Sequence, residues 1–202
     1  MRKDFEVYGE LLIFIITPVI LLATNILNPS YRHIVLFGVS GFLFVLALRR
    51  HWFYGLLSHV TLENITAWLL VTFICVFGTV TWSLFFGNPF VGWEDKSFIL
   101  VYILPISFLQ EFIFRKYLHS LLQEFTTNKV LVVFFVSLLF GLMHVIYPDP
   151  YVAFSLSFVM SVIFSSVYMY RESLTLATLS HAVINYVAVG YCLVSLTSVG
   201  CF

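Results

Sequence analysis

The chain has 202 residues, of which 61% are apolar and only 10% carry a charge. Its mean hydropathy of +1.01 is well above that of a water-soluble domain of ordinary composition, so we predict a polytopic membrane protein with lipid as a partner. Ten basic and ten acidic residues give a net charge of zero. A nucleic-acid partner would need a basic surface, and this class of function is therefore excluded.

Apolar runs of roughly membrane-spanning length follow one another along the chain, bounded by charged residues or by Pro, Gly and Asn clusters. They predict an all-α, polytopic transmembrane bundle of about seven spans that forms a single domain over residues 1–202. Ser97, Asn128 and Ser173 are the predicted N-caps of three of these helices. The predicted spans cover about 10–27, 33–48, 62–86, 97–123, 129–147, 151–170 and 174–198.

Lysine and arginine are distributed unevenly between the predicted loops. Basic residues concentrate on the cytoplasmic side of membrane proteins, so we expect a cytoplasmic N-terminus. With that orientation, Arg2, Lys3, Arg49, Arg50, Lys116, Lys129 and Arg171 lie inside, and Arg32 and Lys96 lie outside.

The fourth predicted span contains three polar residues, Gln110, Glu111 and Arg115, within an otherwise apolar run. A carboxylate at the centre of a membrane-spanning helix costs roughly 2.5 to 3.5 kcal/mol even on lenient insertion scales. Glu111 and Arg115 are four residues apart and are expected to share one face of an α-helix. Pro105, six residues before Glu111, is expected to kink the helix near this polar group. We therefore expect this span to carry function.

Two other spans contribute complementary polar groups. His144 follows Phe140 by four residues, and His181 and Asn185 are also one turn apart, so each pair shares a helix face. A lone intramembrane histidine is often only an interhelical hydrogen-bonding group, and this interpretation stays open for His144. Taken together, a carboxylate, two imidazoles and an amide are the parts of a hydrolase that activates water and stabilises an oxyanion. We expect Glu111, His144, His181 and Asn185 to converge on one polar cavity.

Zinc binding is the main alternative for these groups, since Glu111, His144 and His181 could act as three ligands with water in the fourth position. The sequence contains no HExxH motif, and Asn185 suits an oxyanion donor better than a zinc ligand. A metal site would also require one carboxylate to be both ligand and base. We therefore predict chemistry without a metal or other cofactor.

Three motifs now support a family resemblance: QEFIFR at 110–115, FGLMH at 140–144 and HAVIN at 181–185. In order and spacing they resemble the EExxFR, FxxxH and HxxxN motifs of the CPBP family. This family comprises the type II CAAX prenyl proteases and their bacterial relatives, also called Abi proteins. The resemblance covers roughly residues 97–198, a catalytic core of four helices, while residues 1–96 match only as variable apolar spans. It implies an integral protein of a prokaryotic plasma membrane.

The resemblance implies a glutamic-type intramembrane endopeptidase that cleaves a membrane-associated peptide or protein. In the family, the first Glu of the pair and the second-motif His activate a water molecule, while the third-motif His and Asn hold the oxyanion. By this correspondence His144 orients the water, and His181 and Asn185 polarise the carbonyl. The first Glu is replaced here by Gln110, whose amide cannot accept a proton as a general base.

The Gln110 replacement leaves three possibilities open. Glu111 takes over as the base, His144 activates the water alone, or the protein is a catalytically weakened or inactive member that acts as a membrane peptide-binding, immunity or scaffold protein. We predict Glu111 as the working base, with Gln110, Arg115 and Phe140 as supporting residues. A small proton-coupled transporter is less favoured, because the sequence lacks the repeats and matched broken helices of that class.

Overall fold

The computed structural model describes residues 9, 13, 16–24, 26–28, 31–50, 52, 60–87, 90–93, 97–147, 149–191 and 193. The secondary structure of these residues is helical and contains no strand, which confirms the all-α class. The elements are α1 (Thr17–Ala23), α2 (Arg32–Arg49), α3 (Leu62–Phe85), α4 (Ser97–Glu111), a π-helical segment (Phe112–Leu118), α5 (His119–Gln123), α6 (Lys129–Leu142), α7 (Pro150–Tyr168) and α8 (Leu174–Gly190).

Two of the described helices, α3 and α7, are long and apolar enough to cross a membrane. Ile34–Arg49, α6 and α8 are shorter apolar helices. Seven spans therefore stay a prediction. The cytoplasmic N-terminus does too, since Arg2 and Lys3 lie outside the described residues.

The exposed face of α3 differs from that of a helix in a water-soluble protein. Its buried stripe includes the polar residues Asn64, Thr79 and Ser83, and the last two donate hydroxyl hydrogen bonds to carbonyls of their own helix. Its outward face is apolar, with Phe73 67% and Phe77 63% exposed. A helix that is apolar on its exposed side is suited to lipid, and this arrangement supports a membrane-spanning α3.

The chain divides into two compact units. The first contains residues 1–54 and 112–169, in which α6 packs along α7 and the π-helical segment contacts α2 and α6. The second contains residues 55–111 and 170–202, in which α8 packs against both α3 and α4. The prediction of one domain over the whole chain stays a prediction.

In the second unit, α3 and α8 run parallel. The guanidinium of Arg171, just before α8, pairs with Glu63 in the first turn of α3, and Thr72 and Ser180 form a hydroxyl–hydroxyl hydrogen bond of 2.7 Å. Both contacts join residues 108 apart in sequence, as expected when two helices advance in the same direction.

The helix starts follow the predicted capping pattern where the side chains are described. The Asn128 side chain accepts from the backbone N–H groups of Val130 and Leu131, and Ser173 accepts from that of Leu176. Both N-cap predictions are confirmed. The helix at Ser97 begins at this residue, whose side chain lies outside the described part.

Four aromatic residues near the end of α8 form what we call the Trp93 cluster: Phe90, Trp93, Tyr186 and Tyr191. Trp93 stacks on Tyr186 at 4.5 Å between ring centroids, and its indole N–H donates to the Tyr186 carbonyl at 3.1 Å. Gly190 lies under this cluster, and a Cβ at that position would approach Phe90 Cε2 to 2.7 Å. A side chain at position 190 would therefore force the Phe90 ring to shift.

The predicted helix over residues 97–123 changes geometry in its middle. α4 runs through Pro105 and ends at Glu111, and residues Phe112–Leu118 then form a π-helical segment before α5. In a π-helix the hydrogen bonds join residues five apart, so residues four apart no longer lie over one another. The prediction of a helix over residues 97–123 is confirmed, but the middle of this helix is π-helical, so the α-helical spacing that placed Glu111 and Arg115 on one face does not apply there.

Candidate functional site

Glu111 and His181 are brought together in the second unit by the contact of α4 with α8. His181 Nδ1 lies 2.7 Å from Glu111 Oε1, and the two residues are 8% and 0% exposed, respectively. An ionised carboxylate can only accept, so the imidazole donates this bond from Nδ1–H. Chemistry at His181 must therefore use its other ring nitrogen, Nε2.

A second polar contact lies one turn earlier in α4 and one turn later in α8. Asn185 Nδ2 donates to Ser107 Oγ at 3.2 Å, and Ser107 is fully buried. The sequence separation is 70 for Glu111–His181 and 78 for Ser107–Asn185, so α4 and α8 run antiparallel. We call these two contacts the α4–α8 polar pairs.

The next turn beyond the polar pairs is apolar. Ile103 and Val189 are both 4% exposed and belong to one buried cluster, against which Ala182 and Tyr186 pack. The apolar cluster separates the polar pairs from the end of α8. Electrostatic interactions in such poorly solvated surroundings are stronger than in water.

Gln110 directly precedes Glu111 and is partly buried. Its Oε1 atom is buried and makes no hydrogen bond to a described residue. Leaving a buried acceptor unsatisfied costs roughly 1 to 3 kcal/mol. This carbonyl oxygen is therefore suited to accept a hydrogen bond from water or a substrate.

His144 lies in the first unit, just beyond the end of α6. Its Nδ1 lies 2.8 Å from the Phe140 carbonyl oxygen, and because a carbonyl only accepts, Nδ1–H is the donor. This bond satisfies a carbonyl in the last turn of α6, as polar side chains near helix ends commonly do. The Phe140 and His144 rings are 4.7 Å apart, which confirms that they share a side.

Arg115 lies in the same unit as His144 and is 1% exposed. Its guanidinium carbon is 4.8 Å from the ring centroid of Phe140 and 5.6 Å from that of Phe164. Both distances are within the range of cation–π attraction, which is stronger in desolvated surroundings. Phe140 therefore contacts both Arg115 and His144, and its supporting role stays a prediction.

The structure joins some of the predicted site residues and leaves others as predictions. Glu111 and His181 form one hydrogen-bonded pair within the second unit, and Asn185 forms the neighbouring pair with Ser107, a residue that the sequence did not indicate. Its signal was its position four residues before Glu111. His144 belongs to the first unit, and its convergence with Glu111 stays a prediction.

Neither unit, over the residues that the structure describes, brings three or more His, Cys, Asp or Glu side chains close enough together to hold a metal ion. The Glu111–His181 pair, a carboxylate in contact with an imidazole, is suited to proton transfer.

Comparison with known proteins finds a family model that matches part of the chain. A family model described as type II CAAX prenyl endopeptidase Rce1-like matches residues 92–187. No curated protein and no solved structure matches the chain. The matched segment contains all three motifs, from Gln110 to Asn185. Residues 92–187 therefore carry the signature of the Rce1-like, type II CAAX prenyl endopeptidase family of membrane proteases, which confirms the resemblance predicted from the motifs.

Proposed function

We propose that this protein is a glutamic-type intramembrane endopeptidase that hydrolyses a peptide bond in a membrane-associated peptide or protein. One observation carries the proposal: the family-matching segment pairs a fully buried carboxylate, Glu111, with the imidazole of His181 at 2.7 Å. Burying an ionised group in apolar surroundings is costly. A proton-transfer role accounts for a pair held in that position.

The reaction follows from the chemistry of these groups. The oxygen of a water molecule bonds to the scissile carbonyl carbon, while one of its protons passes to the Glu111–His181 pair. The carbonyl electrons move onto oxygen, and an N–H of the Asn185 amide stabilises the resulting oxyanion. The carbon–nitrogen bond then breaks, and the departing nitrogen takes the proton back from the pair. The products are a carboxylic acid and an amine.

Two further residues complete the proposed mechanism. His144 orients the attacking water through Nε2, a role that rests on the FxxxH motif and on the engagement of Nδ1 by the Phe140 carbonyl. Gln110 accepts a hydrogen bond from water or substrate through its buried Oε1. An amide can position a water molecule in this way but cannot take its proton.

We propose that the reaction needs no metal or other cofactor. The support is the donor chemistry, because Glu111 Oε1 already accepts from His181 Nδ1–H and the same carboxylate is proposed to take part in proton transfer. Activity should survive incubation with a strong zinc chelator. Stoichiometric zinc in the purified protein, lost together with activity in His144→Ala, would contradict this part of the proposal.

The central test is a cleavage assay with purified protein in lipid vesicles. The substrates are a membrane-bound peptide ending in a CAAX sequence, with and without a prenyl group, since the family name suggests this class. We expect cleavage by the natural protein and strong loss in Glu111→Gln and His181→Ala, while Glu63→Gln, which removes an exposed carboxylate paired with Arg171, retains activity. Equal cleavage by all four proteins would rule out the proposed site.

A second function is favoured by one residue. Gln110 occupies the position where the family pattern has its first Glu, so the protein could bind a peptide in this region without cutting it. It would then act as a membrane immunity or scaffold protein. Binding of the test peptide with unchanged affinity in Glu111→Gln, and without cleavage by the natural protein, would support this alternative.

A further inference from the structure

A buried serine outside the three motifs makes a direct contact with a motif residue. Ser107 on α4 is 0% exposed, and its Oγ accepts the hydrogen bond from Asn185 Nδ2 at 3.2 Å. Ser107 precedes Glu111 by one helical turn, as Asn185 follows His181 by one turn. The two contacts therefore repeat along the same α4–α8 interface.

The contact restricts how the Asn185 amide can point. An asparagine amide rotates about its terminal bond and can present either its oxygen or its nitrogen in a given direction. With one N–H bonded to Ser107, the second N–H of the same nitrogen points elsewhere in the amide plane and can donate to another acceptor. Fixed donors stabilise developing negative charge better than mobile ones, because they need no reorganisation during the reaction.

We propose that Ser107 is a positioning residue that holds the Asn185 amide so that its second N–H faces the oxyanion. This inference rests on the proposed function. Ser107 acts through Asn185 and does not itself touch the substrate. Removing an interaction that stabilises only the transition state lowers kcat and leaves KM nearly unchanged.

The test is a double-mutant cycle in the vesicle cleavage assay. Ser107→Ala should lower kcat about tenfold in the natural background, the equivalent of one lost hydrogen bond, and should have no further effect in an Asn185→Ala background. Ser83→Ala is the matched control, because Ser83 is equally buried but donates to its own helix. Ser107→Thr keeps the hydroxyl and should restore part of the rate.

A spectroscopic measurement keeps the inference testable apart from activity. In protein labelled with 15N-asparagine, assigned with Asn185→Ala, one side-chain proton of Asn185 should exchange slowly with solvent, and Ser107→Ala should abolish this protection. Equal losses of kcat in both backgrounds, or unchanged exchange in Ser107→Ala, would overturn the positioning role. If Asn185→Ala cleaves normally, the proposed site itself fails, and the two failures are distinguishable.

Discussion

The two regions that bear the motif histidines satisfy their polar groups in different ways. At the α4–α8 interface, His181 and Asn185 each bond to a side chain on the facing helix. In the first unit, His144 bonds to a carbonyl of its own chain four residues earlier, and Arg115 lies against aromatic rings. Both regions carry buried polar residues within apolar helices, but their hydrogen-bond partners differ.

The surroundings of Arg115 and the α4–α8 polar pairs are expected to contribute to different properties of the protein. A buried guanidinium held against aromatic faces gains cation–π attraction, which stabilises the folded state. A carboxylate and an imidazole paired across two helices can exchange protons and respond to a substrate. We therefore expect substitutions at the α4–α8 polar pairs to reduce catalysis, and substitutions around Arg115 to reduce stability.

The largest effect should come from breaking the Glu111–His181 pair. Glu111→Gln and His181→Ala should each lower kcat/KM by about 10²- to 10⁴-fold, the usual contribution of a general acid–base group. Because the two residues act as one unit, the double variant should be no slower than the slower single variant. Kinetics of the three variants on one peptide check this. Fully additive losses would show that the residues act independently.

Substitution of Arg115 should reduce stability more than it reduces cleavage. Arg115→Ala removes a buried guanidinium from two aromatic rings and should lower the free energy of unfolding by about 2 kcal/mol or more. Thermal unfolding in detergent measures this, with Arg49→Ala at the exposed end of α2 as the control. Normal thermal stability combined with lost cleavage would show that Arg115 takes part in the reaction and would contradict this expectation.

A smaller effect is expected at Gly190. Gly190→Val places a branched side chain where even a Cβ would lie 2.7 Å from Phe90 Cε2, and overpacking of this kind costs about 1 to 3 kcal/mol. Gly78→Val is the matched control, since a Cβ at Gly78 meets no atom within 4 Å. Thermal unfolding of both variants is the measurement. Equal stability would show that the Trp93 cluster moves aside at no cost.

The smallest effect is expected at Gln110. If Glu111 has taken over as the base, Gln110→Glu should change kcat/KM by less than about tenfold, since only a positioning hydrogen bond is altered. The same assay tests the opposite possibility, that Glu111 is not the base. A gain of several orders of magnitude in Gln110→Glu, with little loss in Glu111→Gln, would mean that the natural protein is a weakened protease and that Glu111 is structural.

Much of the fold could be predicted because apolar runs of membrane length define helices with little ambiguity. The polar side chains at Asn128 and Ser173 then marked helix starts correctly. The π-helical segment could not be predicted, because Phe112 to Leu118 are all buried and the pattern of apolar residues does not distinguish i→i+4 from i→i+5 bonding. For that reason, the spacing no longer supports the prediction that Glu111 and Arg115 share one helix face.

The residues of the candidate site could be predicted from the sequence better than the contacts between them. Spacing correctly grouped His181 with Asn185 on one face, but the pairing of His181 with Glu111 depends on the relative register of α4 and α8, which local spacing does not encode. Ser107 was missed because a serine in an apolar helix commonly bonds to its own backbone. Only the antiparallel alignment of the two helices brings it to Asn185.

The Trp93 cluster also gives the molecule a built-in spectroscopic probe. Trp93 stacks on Tyr186, the residue that follows Asn185 in α8. The chain has four tryptophans, so labelling with 5-fluorotryptophan produces a simple fluorine spectrum in which Trp93→Phe identifies the relevant resonance. A shift of that resonance on addition of a peptide would report movement at the end of α8 without any modification of the α4–α8 polar pairs.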